Sequence, residues 1–480
     1  MNNRHGERPG VASGEPVDAG QSVAGGHAAF RDRLPIARAG IDPDAHEGMV
    51  MFAARRMTCR TLMKAWGRDV DEMTIDEGIP VKADIVVVGA GPAGLCFARS
   101  LVGTGLKIAV VDQQSVDEIR HPDFDGREIA LTHKSVGALK RLGLWERIES
   151  EAKSRLLDAR IYNGSSPYAL EIGRELSPHD ELGWLVSNHQ IRKAAFEAVE
   201  CGKEDGAAIE VLARERVIGV KSDDESATVE LESGKSIATR LIVAADSRFS
   251  ATRRMMGISA HMRDFGKTML VCGMTHEKPH HHAAWEWFGY GQTLALLPMN
   301  PDPESGAYRS SVVLTLTGRE IERLKHADAH AFATEIEQRF DHRLGHMALV
   351  TTRHAYPLVG VYPERFVAKR FAAVGDAAVG MHPVTAHGFN FGLSSVESLA
   401  GAIREACLAG RDFATDAILR RYEHKHRLRT RPLYLITGMI ASIYTRDHLP
   451  ARLARDLLLR AGEHLRPFKR GVAAYLAGGL

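Results

Sequence analysis

The chain is poor in cysteine, nearly balanced in charge and free of long apolar runs. Its five cysteines are scattered, odd in number and without CxxC spacing, which argues against both a disulfide framework and a zinc site. A net formal charge of +2 gives no indication of nucleic-acid binding. The best apolar run, 433–444, falls short of the roughly 18 residues that a membrane span needs. We therefore expect a globular protein of the reducing cytoplasm.

The N-terminal region differs in composition from the remainder. Residues 1 to about 47 are rich in glycine, alanine, histidine and charged residues without helical or strand periodicity. Such a segment buries too little apolar surface to offset its ordering entropy, so we expect 1–80 to be a disordered extension. Met73 stands shortly before the first convincing strand, which suggests that translation starts there. A transit peptide is the alternative, although acidic residues such as Glu7 and Asp18 argue against it.

A glycine-rich turn follows the first convincing strand pattern. Val86 to Val88 form the apolar, β-branched run of a strand buried on both faces, and "GAGPAG" comes next, before a helical pattern and a second strand. In this βαβ unit Gly89 permits the tight turn, Gly91 lets a diphosphate approach the backbone at the helix N-terminus, and Gly94 allows close helix packing. Asp112 ends the second strand and is placed to accept hydrogen bonds from a ribose. The unit predicts a dinucleotide site without separating FAD from NAD(P).

Further segments resemble consecutive blocks of the flavin-dependent aromatic hydroxylases, the para-hydroxybenzoate hydroxylase-like superfamily. Besides the glycine-rich unit they are "FDGREIALTHKSVGALKRLGLWERI" (124–148), "LGWLVSNHQIRKAAFEAV" (182–199), "LIVAADSRFSATRRMMGI" (241–258) and "AWEWFGYGQTLALLPM" (284–299). Within that superfamily the chain most resembles the ubiquinone-biosynthesis hydroxylases. "HPVTAHG" makes it most similar to their demethoxyubiquinol 5-hydroxylase branch. The similarity runs in order from about residue 84 to the C-terminus.

The resemblance implies an α/β fold. A Rossmann-like FAD-binding domain of three layers would carry an inserted β-rich substrate domain of the para-hydroxybenzoate hydroxylase type and a C-terminal helical segment. Alternating segments such as "SVVLTLT" agree with a β-rich layer. The predicted parts are FAD-binding residues 81–154, 175–261 and 354–410, substrate-domain residues 155–174 and 262–353, and C-terminal helices in 411–480. Only one Rossmann-type βαβ unit is evident, so NAD(P)H would visit transiently.

Near residue 376 the resemblance assigns a second flavin fingerprint. Gly375 and Asp376 match it, and the acid would bind the ribityl chain of FAD. A carboxylate at the end of a parallel strand lies in the crevice where such sheets bind ligands, although a helix or turn cap is the alternative. After Pro383, Gly388 and Asn390 match positions that contact the pyrimidine edge of the flavin, at the start of an amphipathic helix.

Three further flavin contacts come from the resemblance. Arg127 matches an arginine near the FAD diphosphate, with a surface ion pair as the alternative. Asn188 falls at a cofactor-contacting position, where a helix N-cap is equally expected. Asp246 matches the acid of a second nucleotide-associated motif, in which relatives usually have glycine where this chain has Ser247. Arg253 is retained and is expected to meet the phosphates of NAD(P)H.

The implied reaction is a monooxygenation. NAD(P)H reduces FAD, O2 then gives a flavin C4a-hydroperoxide, and one oxygen passes to the ring of a polyprenylated phenol or quinol in ubiquinone biosynthesis. His387, a titratable residue where relatives usually have Gln, is the candidate catalytic group, with a local hydrogen bond as the alternative. No metal is needed, and we interpret the histidines at 280–282 as a solvated loop. A flavin-dependent prenyl-lipid reductase and a non-catalytic flavin-binding subunit of a ubiquinone-biosynthesis complex stay open as alternatives.

The C-terminal segment 446–480 mixes apolar residues with arginines and lysines. A basic amphipathic helix can lie in the headgroup region of an anionic membrane, which would suit a polyprenyl substrate. Packing against its own domain or against a partner explains the same pattern. The expected partners are therefore a polyprenylated phenol or quinol, O2, and peripherally the inner face of the membrane, with no nucleic acid.

Overall fold

A computed structural model describes residues 81–445 except 165–168, 178, 205–207, 290 and 383–387, together with 465, 469–471 and 473. The predicted N-terminal extension, Met73, Pro383, His387 and most of the segment 446–480 lie outside the described residues.

Strands and helices alternate along the described chain. The strands are β1 (Val81–Lys82), β2 (Ile85–Val88), β3 (Ile108–Val111), β4 (Glu128–Leu131), β5 (Ser154–Leu156), β6 (Asp158–Asn163), β7 (Ala169–Ile172), β8 (Gly183–Ser187), β9 (Ile209–Leu212), β10 (Val217–Ser222), β11 (Ala227–Leu231), β12 (Ser236–Thr239), β13 (Leu241–Ala244), β14 (Ala260–His276), β15 (Ala283–Phe288), β16 (Thr293–Met299), β17 (Tyr308–Leu316), β18 (Met347–Leu349), β19 (His354–Pro363), β20 (Val367–Ala368) and β21 (Phe371–Ala373). The helices are α1 (Pro92–Ser100), α2 (Val116–Arg120), α3 (His133–Arg141), α4 (Asn188–Glu204), α5 (Ala251–Met255), α6 (Gly318–His326), α7 (Ala329–Arg339), α8 (Gly388–Leu408) and α9 (Asp416–Thr445).

A mostly parallel sheet forms the centre of the predicted FAD-binding domain, which we call the cofactor-binding half. Its strand order is β20-β21-β13-β2-β3-β9, and every pair except β20 with β21 is parallel. Strands β2, β3 and β13 are buried along their whole length, as their unbroken apolar runs predict. Helix α1 packs with α4 and α8 on one side, while β11 and β12 of the sheet β1-β12-β11-β10 pack against β13 and β2. This arrangement confirms the predicted three-layer Rossmann-like fold.

A second, larger sheet confirms the β-rich layer. Its order is β18-β14-β17-β16-β15-β6-β7, with β19 added beside β14. Two separated stretches of chain therefore meet in one sheet, through the parallel pairing of β6 with β15. Strands β14 and β19 extend beyond the predicted limits of the substrate domain, and the domain boundaries themselves stay a prediction.

Period-two alternation decides which side chains of β15 face the helices. Trp285 and Trp287 are buried in a core cluster with residues of α6 and α7. Two aromatic residues of the block 284–299 therefore belong to the core. Glu286 points to the opposite face, where Ile161 and Ala295 are its register partners.

That opposite face is turned toward the cofactor-binding half. Following the register across β16, β17, β14 and β19 places His354 and Tyr356 on it. The Tyr356 hydroxyl donates to the carbonyl of Asp125 at 2.6 Å, and a side chain added at Gly126 would come 3.1 Å from the His354 ring. The face therefore closes over the loop that carries the predicted diphosphate ligand.

The last two helices follow the second predicted flavin fingerprint. The predicted amphipathic face of α8 is buried as expected: Leu393, Val396, Leu399, Ala400 and Ile403. Helix α9 has 30 residues and contains Pro432. Among the described residues, no helix combines the length and apolarity required to cross a bilayer.

Candidate active site

The glycine-rich turn adopts the geometry that its sequence predicts. Gly89 has φ +108°, and a Cβ there would come 2.7 Å from the carbonyl oxygen of Ala245. A Cβ at Gly94 would collide with the carbonyl oxygen of Gly89. At Gly91 an added Cβ would meet no atom within 4 Å. Two glycines thus pack against protein, while the third faces open space at the helix N-terminus.

Asp112 lies beside this turn, as predicted. One carboxylate oxygen accepts the backbone N–H of Ala90 at 2.6 Å, and the other accepts that of Gln114 at 2.8 Å. A carboxylate offers about four lone-pair sites, so acceptor capacity remains for a ribose diol. The hydrogen bond from Ala90 thus holds Asp112 beside the glycine-rich turn, and both would contact the same dinucleotide.

The second fingerprint meets the first one in space. Gly375 has φ +61°, and a Cβ there would come 2.7 Å from the Cβ of Ala93 in the first turn of α1. Asp376 follows at the end of β21 and pairs with Arg248, with 3.1 Å between guanidinium nitrogen and carboxylate oxygen. Both side chains are about one third exposed, at 34% for Asp376 and 28% for Arg248. Arg248 is a site residue that sequence reasoning missed, because nothing local links it to an acid 128 positions away.

Arg127 is held by a network around Asp125. Its guanidinium donates to Asp125 Oδ2 at 2.6 Å, and Asn188 Nδ2 donates to the same oxygen at 2.7 Å. Burial alone would raise the pKa of Asp125, but the charge and hydrogen bonds of Arg127 and the bond from Asn188 lower it overall. The Arg127 side chain remains 41% exposed and lies close enough to feel the charge of Asp376. Its position is therefore compatible with both the phosphate contact and the ion pair that the sequence left open.

Asn188 begins α4, and its amide orients Asp125. The sequence offered a cofactor contact or a helix N-cap for Asn188, and neither of these is the observed hydrogen bond to Asp125. The contact of Asn188 with the cofactor stays a prediction.

Asn390 joins α8 to β4 and α3. Its side-chain oxygen accepts the backbone N–H of Thr132 at 3.1 Å, and its Nδ2 donates to the carbonyl of Ala130 at 2.8 Å. Gly388 opens the helix, and a Cβ on it would lie 4.0 Å from Asp376 Oδ1. The first turn of α8 is thereby fixed beside the carboxylate of the second fingerprint.

Asp246 stabilises the turn after β13. Its Oδ2 accepts the backbone N–H of Thr252 at 3.0 Å, and Ser250 Oγ donates to Oδ1. Ser247 has φ +76°, a left-handed conformation that disfavours any residue with a Cβ. Glycine, the residue that the resemblance implies at this position, would adopt this φ without the steric cost.

Arg253 lies inside the protein. It is 2% exposed and donates through one terminal nitrogen to the carbonyl oxygens of Ala377 at 3.0 Å and Arg248 at 3.2 Å. Burial lowers the pKa of Arg253, partly countered by Asp246. The expectation that this guanidinium meets the phosphates of NAD(P)H is therefore wrong.

The histidine run at 280–282 does not form a solvated loop throughout, which corrects the sequence interpretation. His280 is 4% exposed, its Nε2 donates to the carbonyl of Met299 at 3.0 Å, and its Nδ1 accepts the backbone N–H of His282 at 3.0 Å. Burial and the neighbouring His276 lower the pKa of His280 to about 4. The ring is a neutral structural group with both nitrogens occupied.

These residues fit FAD. The N-terminus of α1 has open space at Gly91 and no side-chain cap in the described residues, so its backbone N–H groups would be available to a diphosphate. Asp112 and Asp376 have acceptor oxygens that would suit a ribose and the ribityl hydroxyls. The predicted site residues Gly89, Gly91 and Gly94 are thereby brought together with Gly375 and Asp376.

Comparisons with known proteins give the same assignment. The family model described as "FAD binding domain" matches residues 82–434. The ubiquinone hydroxylase UbiM of Neisseria meningitidis is 43% identical over 82% of this chain and 85% of its own. The ubiquinone hydroxylase UbiL of Rhodospirillum rubrum is 32% identical over 81% and 88%. Among solved structures, p-nitrophenol 4-monooxygenase PnpA of Pseudomonas putida superposes with a TM-score of 0.66 at 17% identity, covering 83% of this chain and 99% of that one.

Proposed function

The chain belongs to the FAD-binding-domain family, and within it to the ubiquinone hydroxylases, and we propose that it hydroxylates the aromatic ring of a polyprenylated phenol or quinol in ubiquinone biosynthesis. It is an FAD-dependent monooxygenase. The cofactor, reduced by the NAD(P)H that is typical of the family, supplies the activation of O2. The observation that carries the proposal is the contact of Gly375 with Ala93, which joins two cofactor motifs from opposite ends of the described chain.

The chain's own residues hold and enclose the cofactor. We assign the diphosphate to Gly89, Gly91 and Gly94 with Arg127 nearby, and the ribityl chain to Asp376. Asn188 supports the position of Arg127 through Asp125. The large sheet closes over the loop of Asp125 and Arg127 through Tyr356, and we propose that this cover limits the access of water to the bound cofactor.

At the flavin ring we assign contacts to the stretch that ends β21 and opens α8. Gly375, Pro383, Gly388 and Asn390 are its members, with Asp112 on the ribose and Asp246 stabilising the neighbouring turn. His387 is proposed as the group that assists substrate deprotonation. A base that accepts the proton of a phenol accelerates the reaction, because it favours the electron-rich phenolate.

We further propose peripheral contact with the inner face of the membrane through the segment 446–480. Its mixture of arginines and apolar residues supports this contact, because anionic lipids attract each basic residue by about 1 kcal/mol near the surface. A polyprenylated substrate resides in that bilayer.

Isotope labelling tests the reaction. Purified protein containing FAD is mixed with NAD(P)H, a short-tailed demethoxyubiquinol and ¹⁸O₂, and the product is analysed by mass spectrometry. Hydroxylation predicts one ¹⁸O atom in the ring and substrate-stimulated NAD(P)H oxidation. Turnover without oxygen would favour the prenyl-lipid reductase, and bound flavin without any stimulated oxidation would favour the non-catalytic subunit.

A pair of variants tests the role of Asp376. Replacement of Asp376 by Ala removes the proposed ribityl acceptor and is expected to lower FAD affinity at least about tenfold, the equivalent of one charge-assisted hydrogen bond. Arg248→Ala breaks the same ion pair but leaves the carboxylate, so a smaller loss is expected. FAD affinity is measured by flavin fluorescence titration of the apo-proteins. Equal losses in both variants would mean that the ion pair, and not a ribityl contact, is what matters.

A further inference from the structure

An apolar groove lies between α3, α8 and α9. Its volume is about 340 Å³, and the carbon-rich part of its wall consists of Phe391, Leu393, Leu428, Pro432, Leu433 and Ile436. A few polar side chains also line it, among them Ser394, whose hydroxyl accepts from Arg429 at 3.4 Å. The groove has the apolar lining with few polar groups that is usual for a site taking a hydrocarbon ligand.

One end of the groove reaches the cofactor site. Thr132 and Asn390 belong to its wall, and they are joined by the hydrogen bond that fixes the first turn of α8. Gly388, one half-turn earlier, lies next to Asp376. A ligand in the groove would therefore lie within a few residues of the place that we assign to the flavin ring.

The other end continues into exposed apolar side chains on α9. Leu428, Leu435, Ile436 and Met439 are between 47% and 64% exposed and recur at helical spacing on one face. Such a stripe is normally covered by another element or by a bound partner, because burying apolar side chains of this size is favourable. The stripe and groove together form one continuous apolar track.

Basic residues flank the track. Lys425, Arg429 and Arg431 are exposed on the same helix, and no acidic residue occurs from 424 to 445. A cationic rim around apolar side chains suits the surface of an anionic bilayer. The outer end of the track is therefore suited to meet the source of a lipid substrate.

From these features we infer that the track binds the isoprenoid tail of the substrate while its ring lies at the flavin. The inference rests on the proposed function, because only a ligand whose apolar chain is attached to a reacting ring needs a groove that ends at the first turn of α8. A free acyl chain, a second copy of the protein or the chain's own residues 446–480 would have no use for that continuity.

Tail-length specificity tests the inference. Ser394→Phe places a ring inside the groove, and Ile436→Gln makes its mouth polar at a position that is already exposed. For each variant, kcat/KM is measured with a tail-less quinol and with one carrying a long isoprenoid chain, both presented in detergent. The ratio of long to tail-less kcat/KM is expected to fall at least tenfold in both variants. Leu408→Gln, a change at a 92% exposed leucine at the end of α8, is the control and keeps the ratio of the unaltered protein.

Equal losses with both substrates, or no loss, would overturn the tail site while leaving the hydroxylase intact. Absence of turnover in the unaltered protein with either substrate would instead overturn the proposed function.

Photocrosslinking gives a readout that does not depend on activity. A polyprenyl chain carrying a terminal diazirine is irradiated with the FAD-loaded full chain, and labelled peptides are identified by mass spectrometry. Label in 388–397 and 428–439 that a long-tailed quinol removes supports the inference. Label removed equally by phospholipid would identify an acyl chain, and absence of label would mean that residues 446–480 or a second copy cover the track. Each of these two outcomes overturns the assignment.

Discussion

Single side chains in this protein acquire their roles from partners that are distant in sequence. The Asp125 carboxylate accepts hydrogen bonds from Arg127 and Asn188, and its backbone carbonyl accepts one from the Tyr356 hydroxyl. Its lowered pKa keeps it charged beside the cofactor site, so that Arg127 is paired in the folded protein before any phosphate arrives. A diphosphate bound here would therefore meet a guanidinium that is already oriented, which reduces the ordering entropy of binding.

The pKa of Glu286 is raised, whereas that of Asp125 is lowered. Glu286 lies on β15 between Ile161 and Ala295, and burial raises its pKa from the ordinary 4.5 to about 8. At neutral pH the folded protein therefore holds a proton that the unfolded chain releases. Because the unfolded state binds fewer protons between about pH 4.5 and 8, this group makes stability fall as the pH rises through that window.

We accordingly predict that Glu286→Gln stabilises the protein in a pH-dependent way. The gain over the unaltered chain should grow from near zero at pH 4.5 by up to about 1.4 kcal/mol per pH unit and level off above pH 8. Unfolding temperatures of both proteins with excess FAD, measured from pH 5 to 8, check the result. Glu304→Gln, at an exposed loop position, is the control and should show no such slope. A constant difference at all pH values would contradict the assignment of a protonated Glu286.

At the scale of elements, two glycines of the glycine-rich turn have different roles: one is needed for packing and the other leaves space for a ligand. Gly94 lets α1 pack on the end of β2, whereas Gly91 leaves room that the protein itself does not fill. Both positions carry the same residue, but their surroundings differ, so the same substitution should have different consequences.

The matched pair Gly91→Ala and Gly94→Ala tests this separation. Gly91 has φ −70°, which alanine adopts freely, so the apo-protein should keep its unfolding temperature while FAD binding weakens at least about tenfold. Gly94→Ala should destabilise the apo-protein itself by about 1–3 kcal/mol, because the added methyl forces α1 away from β2. Calorimetry of the apo-proteins and flavin titration measure the two effects. Unchanged FAD affinity in Gly91→Ala would show that no diphosphate approaches there.

At the scale of the whole molecule, one compact unit begins at Asp76 and contains all of the described residues. The described fold begins at β1, which is held by parallel pairing with β12. A chain that starts at Met73 thus retains every residue of this unit.

We predict that this shorter protein folds and binds FAD like the full chain. Its unfolding temperature should change by less than about 2 °C, which corresponds to under about 2 kcal/mol for a unit of this size. Flavin content and thermal unfolding of the two purified proteins provide the comparison. A colourless or clearly less stable short form would contradict the start that we predict at Met73.

Local patterns were sufficient for β2, α1, β3 and the buried face of α8. Each depends on residue spacing within about 20 positions, and spacing decides which side chains share a face. Pairings that cross the chain were not predictable in this way. Asn188 bonds to Asp125 and Arg248 to Asp376, and neither partner leaves a periodic signal at the other. Burial was also missed for His280 and Arg253, because polar residues enter a core only where tertiary neighbours satisfy them.

The sequence by itself determined that this protein holds a dinucleotide. The signal is a buried strand, three spaced glycines, a helix and a terminal acid in this order. Each of these meets a separate steric or hydrogen-bonding requirement of the ligand. Only the tertiary structure decided how the second motif is used. It brought Gly375 against Ala93 and opened an apolar track beside the same helix, because long-range packing, and not local spacing, fixes which distant segments become neighbours.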